Sequence, residues 1–209
     1  MILVMKSRSY HHGDLKNALI EAGIGILDDR GLSGLSLRKV AERVGVSHAA
    51  PYAHFSDKQE LVAAIATHGF RQLHGKLTEA IAAHPRRLRL QLLATVKAYA
   101  AFAVENTETF KLMFSSTIEK EKEHEELITV VQEVTDLVNV VVSRCVDRDA
   151  INASSPELIG VIIWGQVHGI ILLWVENQIP GKLLKTVGLM QLVQIAIEYF
   201  LVKKRKRST

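Results

Sequence analysis

Cysteine occurs once in 209 residues, proline four times, and aromatic side chains make up only 6% of the chain. A lone Cys145 excludes an intramolecular disulfide framework, and its place in an apolar helical pattern reads as a small buried hydrophobe instead of a redox centre. So few prolines leave long stretches uninterrupted, and a composition rich in Leu, Val, Ile and Ala favours helices throughout. The opening MILVMKSRSYHHG lacks the form of a secretory signal, because its apolar part is short and its positive charges follow that part. It reads as a disordered arm over residues 1–9, from which Lys6 and Arg8 are within reach of DNA. His11 and His12 find no convergent partners, so no metal site is expected. No paired carboxylates, nucleophile motif or phosphate loop accompanies the histidines, which argues against an enzyme and against a resident cofactor.

Positive charge is scarce outside one place. The balance is 26 basic against 22 acidic side chains, but removing the run Lys203, Lys204, Arg205, Lys206 and Arg207 leaves 21 against 22, about −1. This basic tail, 204–209 in the domain division, reads as a solvated end, with weak attraction to nucleic acid or anionic lipid as the alternative.

What the chain does hold is a dense series of helix starts between Leu35 and Leu61. Ser36 is a helix cap, followed by Leu37, Val40, Ala41 and Val44 at helical spacing. Gly45 suits a tight turn with positive φ, and Val46 suits the angle between two helices. The pattern predicts a second short helix from His48 to about His54, capped by Ser47, and then a Ser56/Gln59 capping box that opens a third. Such an arrangement is a helix-turn-helix, whose second helix fits the major groove of DNA.

Ala41, Gly45, Val46 and Ser47, followed by Tyr52, His54, Phe55 and Lys58, match the A-x-x-x-G-V-S and Y-x-H-F-x-x-K signatures, and the segment resembles the DNA-binding domain of the TetR family of bacterial repressors. The likeness extends back through residues 9–36, and Trp164, His168 and Gly169 resemble a W-x-x-x-H-G pattern in the C-terminal domain of one branch of that family. Two departures stand in the recognition element. Ala49 and Ala50 replace the Gly and Thr of many relatives and offer methyl groups to thymine in place of hydrogen bonds. Pro51 replaces a leucine and forfeits about one backbone bond near the helix start. The operator preference of relatives therefore does not transfer.

The rest reads as an all-α chain of about nine helices: a three-helix DNA-binding domain over residues 1–60 and a helical ligand-binding and dimerisation domain over 61–203. The first helix runs from about Asp14 to Arg30, and the third continues from the capping box towards Ala83. Further helices are predicted from about Pro85 to Glu105, Thr107 to Phe114, Leu127 to Val146 (apolar enough to be central), Leu158 to Val175, and Leu183 to about Val202. Another capping box, Ser116 and Glu119, opens the charged run Glu119 to Glu126. The uncharged stretch Leu158 to Val175 is long enough for a membrane span, but Gln166 and His168 at its centre favour a helix shared between the core and an identical partner.

DNA contact is expected from Ser47, His48 and Ala49 at base edges, with Ser36 at the helix entry and Arg38, Tyr52, His54 and Lys58 on phosphates. Tyr52 and His54 serve equally well as packing residues with one exposed tip. A small apolar ligand is expected against Tyr99, Phe102, Phe110, Met113, Phe114, Trp164 and His168, the last of which either lines a cavity or hydrogen-bonds within the core. Val161, Gly165, Gly169 and Leu172, with Leu192, Ile195 and Tyr199, form the expected homodimer seam. The resemblance implies a cytoplasmic, dimeric repressor on double-stranded operator DNA, released by a ligand, with an activator of the same fold as the alternative and no membrane partner.

Overall fold

The computed structural model describes residues 12–116, 118, 124–153 and 155–201. The arm with Lys6, Arg8 and His11, the His12 side chain, Glu119 with its capping box, and the tail from Lys203 to Arg207 lie outside that description. Nine α-helices make up the described residues, with one 3-10 turn and no strand beyond an isolated bridge between Ile151 and Leu201. They are α1 His12–Gly34, α2 Leu37–Val44, α3 Lys58–Ala82, α4 Leu88–Glu105, α5 Thr107–Met113, α6 Glu125–Asp147, α7 Pro156–Val175, α8 Gly181–Leu184 and α9 Leu189–Glu198.

The N-terminal unit forms largely as its caps dictate. The Lys39 amide donates to Ser36 Oγ at 3.2 Å, and α2 ends at Gly45, whose φ of 82° lies in the left-handed region. The Gly45 and Val46 amides both return to the Ala41 carbonyl, which tips Val46 into the angle between the elements. Here two expectations give way. The second helix is only a 3-10 turn, Ala50–Ala53, with no side-chain cap from Ser47. Pro51 explains this: it has no N–H to donate, and its ring opposes the carbonyl four residues back, so the turn closes through i→i+3 bonds such as Tyr52 N–H to Ala49 O. The next cap is also one residue later than Ser56. The Glu60 amide donates to Asp57 Oδ1 at 3.0 Å, and Glu60 reaches back to accept from the Ser56 amide at 2.6 Å.

Two apolar clusters organise the molecule. The first gathers Leu19, Ile26, Leu27, Leu35, Val40 and Phe55 around Leu61, Val62 and Ile65 of α3. The second gathers Phe70, Leu73 and Leu77 of the same helix with α4, α5, α6, α7 and α9. Thus α3 belongs to both. So does α5, because Leu112 packs in the first cluster and Phe110 and Met113 in the second. The two helices meet closely at Gly69, where a Cβ would lie 2.6 Å from Met113 Sδ and 2.9 Å from Thr109 Cγ2.

Three further expectations are corrected. The helix expected from Pro85 begins at Leu88. The run Leu183 to Val202 is divided, because α8 stops at Leu184 and α9 restarts after Gly188. Helix α6 is not fully central, since Val141, Val142 and Cys145 are buried while Ile128, Val131 and Val140 face outward.

Candidate functional site

Two regions stand out, one on the helix-turn-helix and one in the second cluster. On the first, Arg38 and His48 converge on one carboxylate. Arg38 Nε lies 3.1 Å from Glu42 Oε1, and His48 Nε2 lies 3.3 Å from the same oxygen, all three side chains being exposed. Arg38 and Glu42 share a helix face at i,i+4 spacing, and the Gly45 turn brings His48 back beside them. Ser47 and Ala49 are exposed next to His48, and Tyr52 is 61% exposed on the 3-10 turn. Ser36 is half-buried as the α2 cap, and His54 is half-buried against Phe55. Lys58 is half-buried, and its ammonium donates to the Leu32 carbonyl at 2.9 Å, which ties the start of α3 to the end of α1. Arg38, Ser47, His48, Ala49 and Tyr52 are therefore exposed on the helix-turn-helix, whereas Ser36, His54 and Lys58 are half-buried and held by contacts within it.

Arg38 and His48 are fed negative charge by Glu42 that the sequence pattern does not single out. A phosphate approaching Arg38 would have to displace that carboxylate or share the guanidinium with it.

The second region is a cavity of about 450 Å³ enclosed by α3, α4, α6 and α7 with Met113 and Phe114 from the α5 region, a volume within the ~300–1,000 Å³ common for small-molecule sites. Tyr99, Met113, Phe114 and Trp164 line it as expected. Phe102 and Phe110 do not: both are fully buried behind its wall, because α4 and α5 turn those faces into the core. His168 is also not a lining residue. Its Nδ1 stands 2.7 Å from the Tyr99 hydroxyl, with Phe110, Phe114 and Trp164 packed around the ring. Burial pushes the Tyr99 phenol well up and holds the His168 imidazole below its ordinary 6.5. Burial favours the neutral imidazole, and in either tautomer the hydrogen bond fixes the Tyr99 hydroxyl beside His168, which positions Tyr99.

The sequence pattern does not pick out much of the remaining wall, including Phe70, Leu73 and Leu77 from α3, Thr135 and Asn139 from α6, and Gly160 from α7. The only signal is that Thr135 and Asn139, at i,i+4 spacing, share a helix face with Val131 and Val138.

Val161 and Trp164 line the cavity and also lie on an outward face, at 64% and 49% exposure. Around them Leu158, Ile162 and Leu173 of α7 and Met190, Ile195 and Tyr199 of α9 are exposed, Tyr199 at 83%. A Cβ at Gly165 or Gly169 would meet nothing within 4 Å. Leu172 and Leu192 are half-buried, and Leu172 packs against its own core. Cys145 is buried with its thiol on the Leu88 carbonyl and pushed up to about 11 by burial, so it is protonated and inert.

Comparison with known proteins matches the two halves separately. The family of bacterial regulatory proteins described as the tetR family matches residues 19–65, and the tetracyclin repressor-like C-terminal domain matches residues 92–187. The class A tetracycline repressor from transposon 1721 of Escherichia coli is 44% identical over 50 residues, which cover 24% of this chain and 23% of that protein. The HTH-type transcriptional activator FasR of Mycolicibacterium smegmatis is 28% identical over 130 residues, 62% of this chain and 59% of the relative. The chain thus aligns with less than two thirds of the length of either relative. A solved protein of unknown function from Rhodococcus sp. RHA1 shares the fold with a TM-score of 0.79 at 29% identity, over 93% of this chain and 97% of that one.

Proposed function

The chain belongs to the TetR family of bacterial transcription regulators, and from that premise we propose that it works in the cytoplasm as a homodimeric repressor. In this reading it binds a near-palindromic operator and is released by a small apolar ligand. The protein is a DNA-binding regulator and not an enzyme.

One observation carries the proposal: α3 is unbroken from Lys58 to Ala82, with its first turns in the helix-turn-helix core and Phe70, Leu73 and Leu77 in the cavity wall. A ligand that favours one wall arrangement shifts α3, and the contact of Met113 with Gly69 adds a second link through α5. The effect on DNA binding is limited to the difference in ligand affinity between the two states.

The apolar face of α7 and α9 supports dimerisation. Helix α7 is long and apolar enough to cross a membrane by length and composition, with a mean hydropathy of 2.0, and most of it is not buried within the chain. A second copy accounts for that exposure better than lipid, because Gly165 and Gly169 leave an open strip where another helix backbone can approach. Two recognition turns held by such a dimer would enter successive major grooves about 34–36 Å apart.

Selection of bound sequences from random DNA tests the reading directly. The expected product is a near-palindrome with half-sites about one helical turn apart; recovery of sequences without symmetry would defeat it. Since one relative is named an activator, a reporter placed under the selected operator also decides the sign of regulation. Expression that falls when the protein is supplied supports repression.

A further inference from the structure

The cavity wall contains no Asp, Glu, Lys, Arg or His side chain. A carboxylate or phosphate buried there would have no counter-charge, and such burial is strongly unfavourable. The wall is not wholly apolar, however, and its polar groups differ in availability. The Thr95 hydroxyl donates to the Gln91 carbonyl at 2.8 Å, Thr135 donates to Val131 at 2.8 Å, and the Tyr99 hydroxyl is engaged by His168. Asn139 is different. Among the described residues its carboxamide makes no hydrogen bond, although it is half-buried between α6 and α7. It lies over Gly160, where a Cβ would stand 3.4 Å from Asn139 Oδ1, so the missing side chain on α7 leaves room for the amide and for a ligand group beside it. The Asn139 amide reaches the accessible space of the cavity and spends none of its hydrogen bonds within the chain, so a ligand group entering there can take the place of water on it.

Resting on the reading of this cavity as the ligand site, we propose that it selects an uncharged amphiphile, an apolar skeleton with one neutral hydrogen-bond acceptor such as a ketone, ester or amide carbonyl, and that the Asn139 carboxamide over Gly160 reads that acceptor. Asn139 is then the specificity residue of the cavity. The surrounding Phe70, Leu73 and Val96 supply affinity without discriminating head groups. A ligand bearing a charged group is accommodated only with that group outside.

Three probes of matched shape separate these contributions by calorimetric titration at pH 8: n-butylbenzene, 4-phenyl-2-butanone and 3-phenylpropanoate. The ketone and the carboxylate differ only by a methyl against an ionised oxygen. The wild-type protein should bind the ketone at least about tenfold more tightly than the carboxylate. Asn139→Leu should weaken the ketone about three- to tenfold, the size of one net hydrogen bond, and leave n-butylbenzene within about twofold. Asn139→Ala serves the same purpose should the leucine variant fail to fold. A carboxylate bound as tightly as the ketone, or a ketone affinity that survives both substitutions, overturns the assignment while the cavity remains a ligand site. Failure of all three probes to bind the wild-type protein overturns both.

Discussion

At the scale of the residue, the proposed DNA face is governed by a competition for the Arg38 guanidinium. Glu42 occupies Arg38 and His48 in the free protein, and such exposed pairs contribute only about 0–1 kcal/mol to stability. Replacing Glu42 by Gln removes a negative charge from the surface proposed to approach phosphates and frees Arg38 for one more contact. We expect the variant to fold normally, to bind random DNA several-fold more tightly, and to show a salt dependence steeper by about 0.9 in log–log slope. Fluorescence anisotropy at two salt concentrations checks this. Unchanged affinity and slope would show that Arg38 does not face DNA. Other groups are fixed structurally: Lys58 spends one of its donors on Leu32, and His168 serves Tyr99.

At the scale of the element, α3 and α5 are held at a distance set by Gly69. Alanine there would place its Cβ against Met113 Sδ, which can move, and against the buried, β-branched Thr109, which cannot do so easily. Overpacking of this kind costs about 1–3 kcal/mol, against a gain of up to ~1 kcal/mol from helix propensity. The expected result for Gly69→Ala is a net loss, read as a lower urea midpoint. A raised midpoint would mean that Met113 relocates freely and that the contact does not set the spacing between these helices. The recognition element obeys the same logic, since a single proline at position 51 converts an expected helix into a 3-10 turn.

At the scale of the whole molecule, the exposed faces of α7 and α9 are where the proposed dimer would close. Tyr199, at 83% exposure, touches little of its own chain. Tyr199→Asp should therefore leave the helical content of the protomer unchanged while placing a charge in the proposed seam between two copies, and its thermal midpoint should fall and lose its dependence on protein concentration. Sedimentation is expected to show half the wild-type mass, and affinity for a full palindrome should fall towards that for a single half-site. A variant that remains a dimer would move the interface away from this end of α9.

Local chemistry alone determined the helical class, the helix-turn-helix and the order of elements, because caps, glycine turns and apolar spacing act between residues near in sequence. Ser36, Gly45 and Val46 behave as their types require, and Ser155 caps α7 through the Leu158 amide. Even the failures are local in origin, with Pro51 shortening the recognition element and Asp57 displacing Ser56 as cap. Tertiary packing decided what periodicity could not: which aromatic residues face a space and which fill the core. Phe102 and Phe114 carry the same side chain, yet one is sealed behind the wall and the other lines the cavity. The difference depends on how α4 and α5 rotate against helices far away in the chain. The pairing of Asn139 with Gly160, two positions on separate helices, exists only after that packing is made.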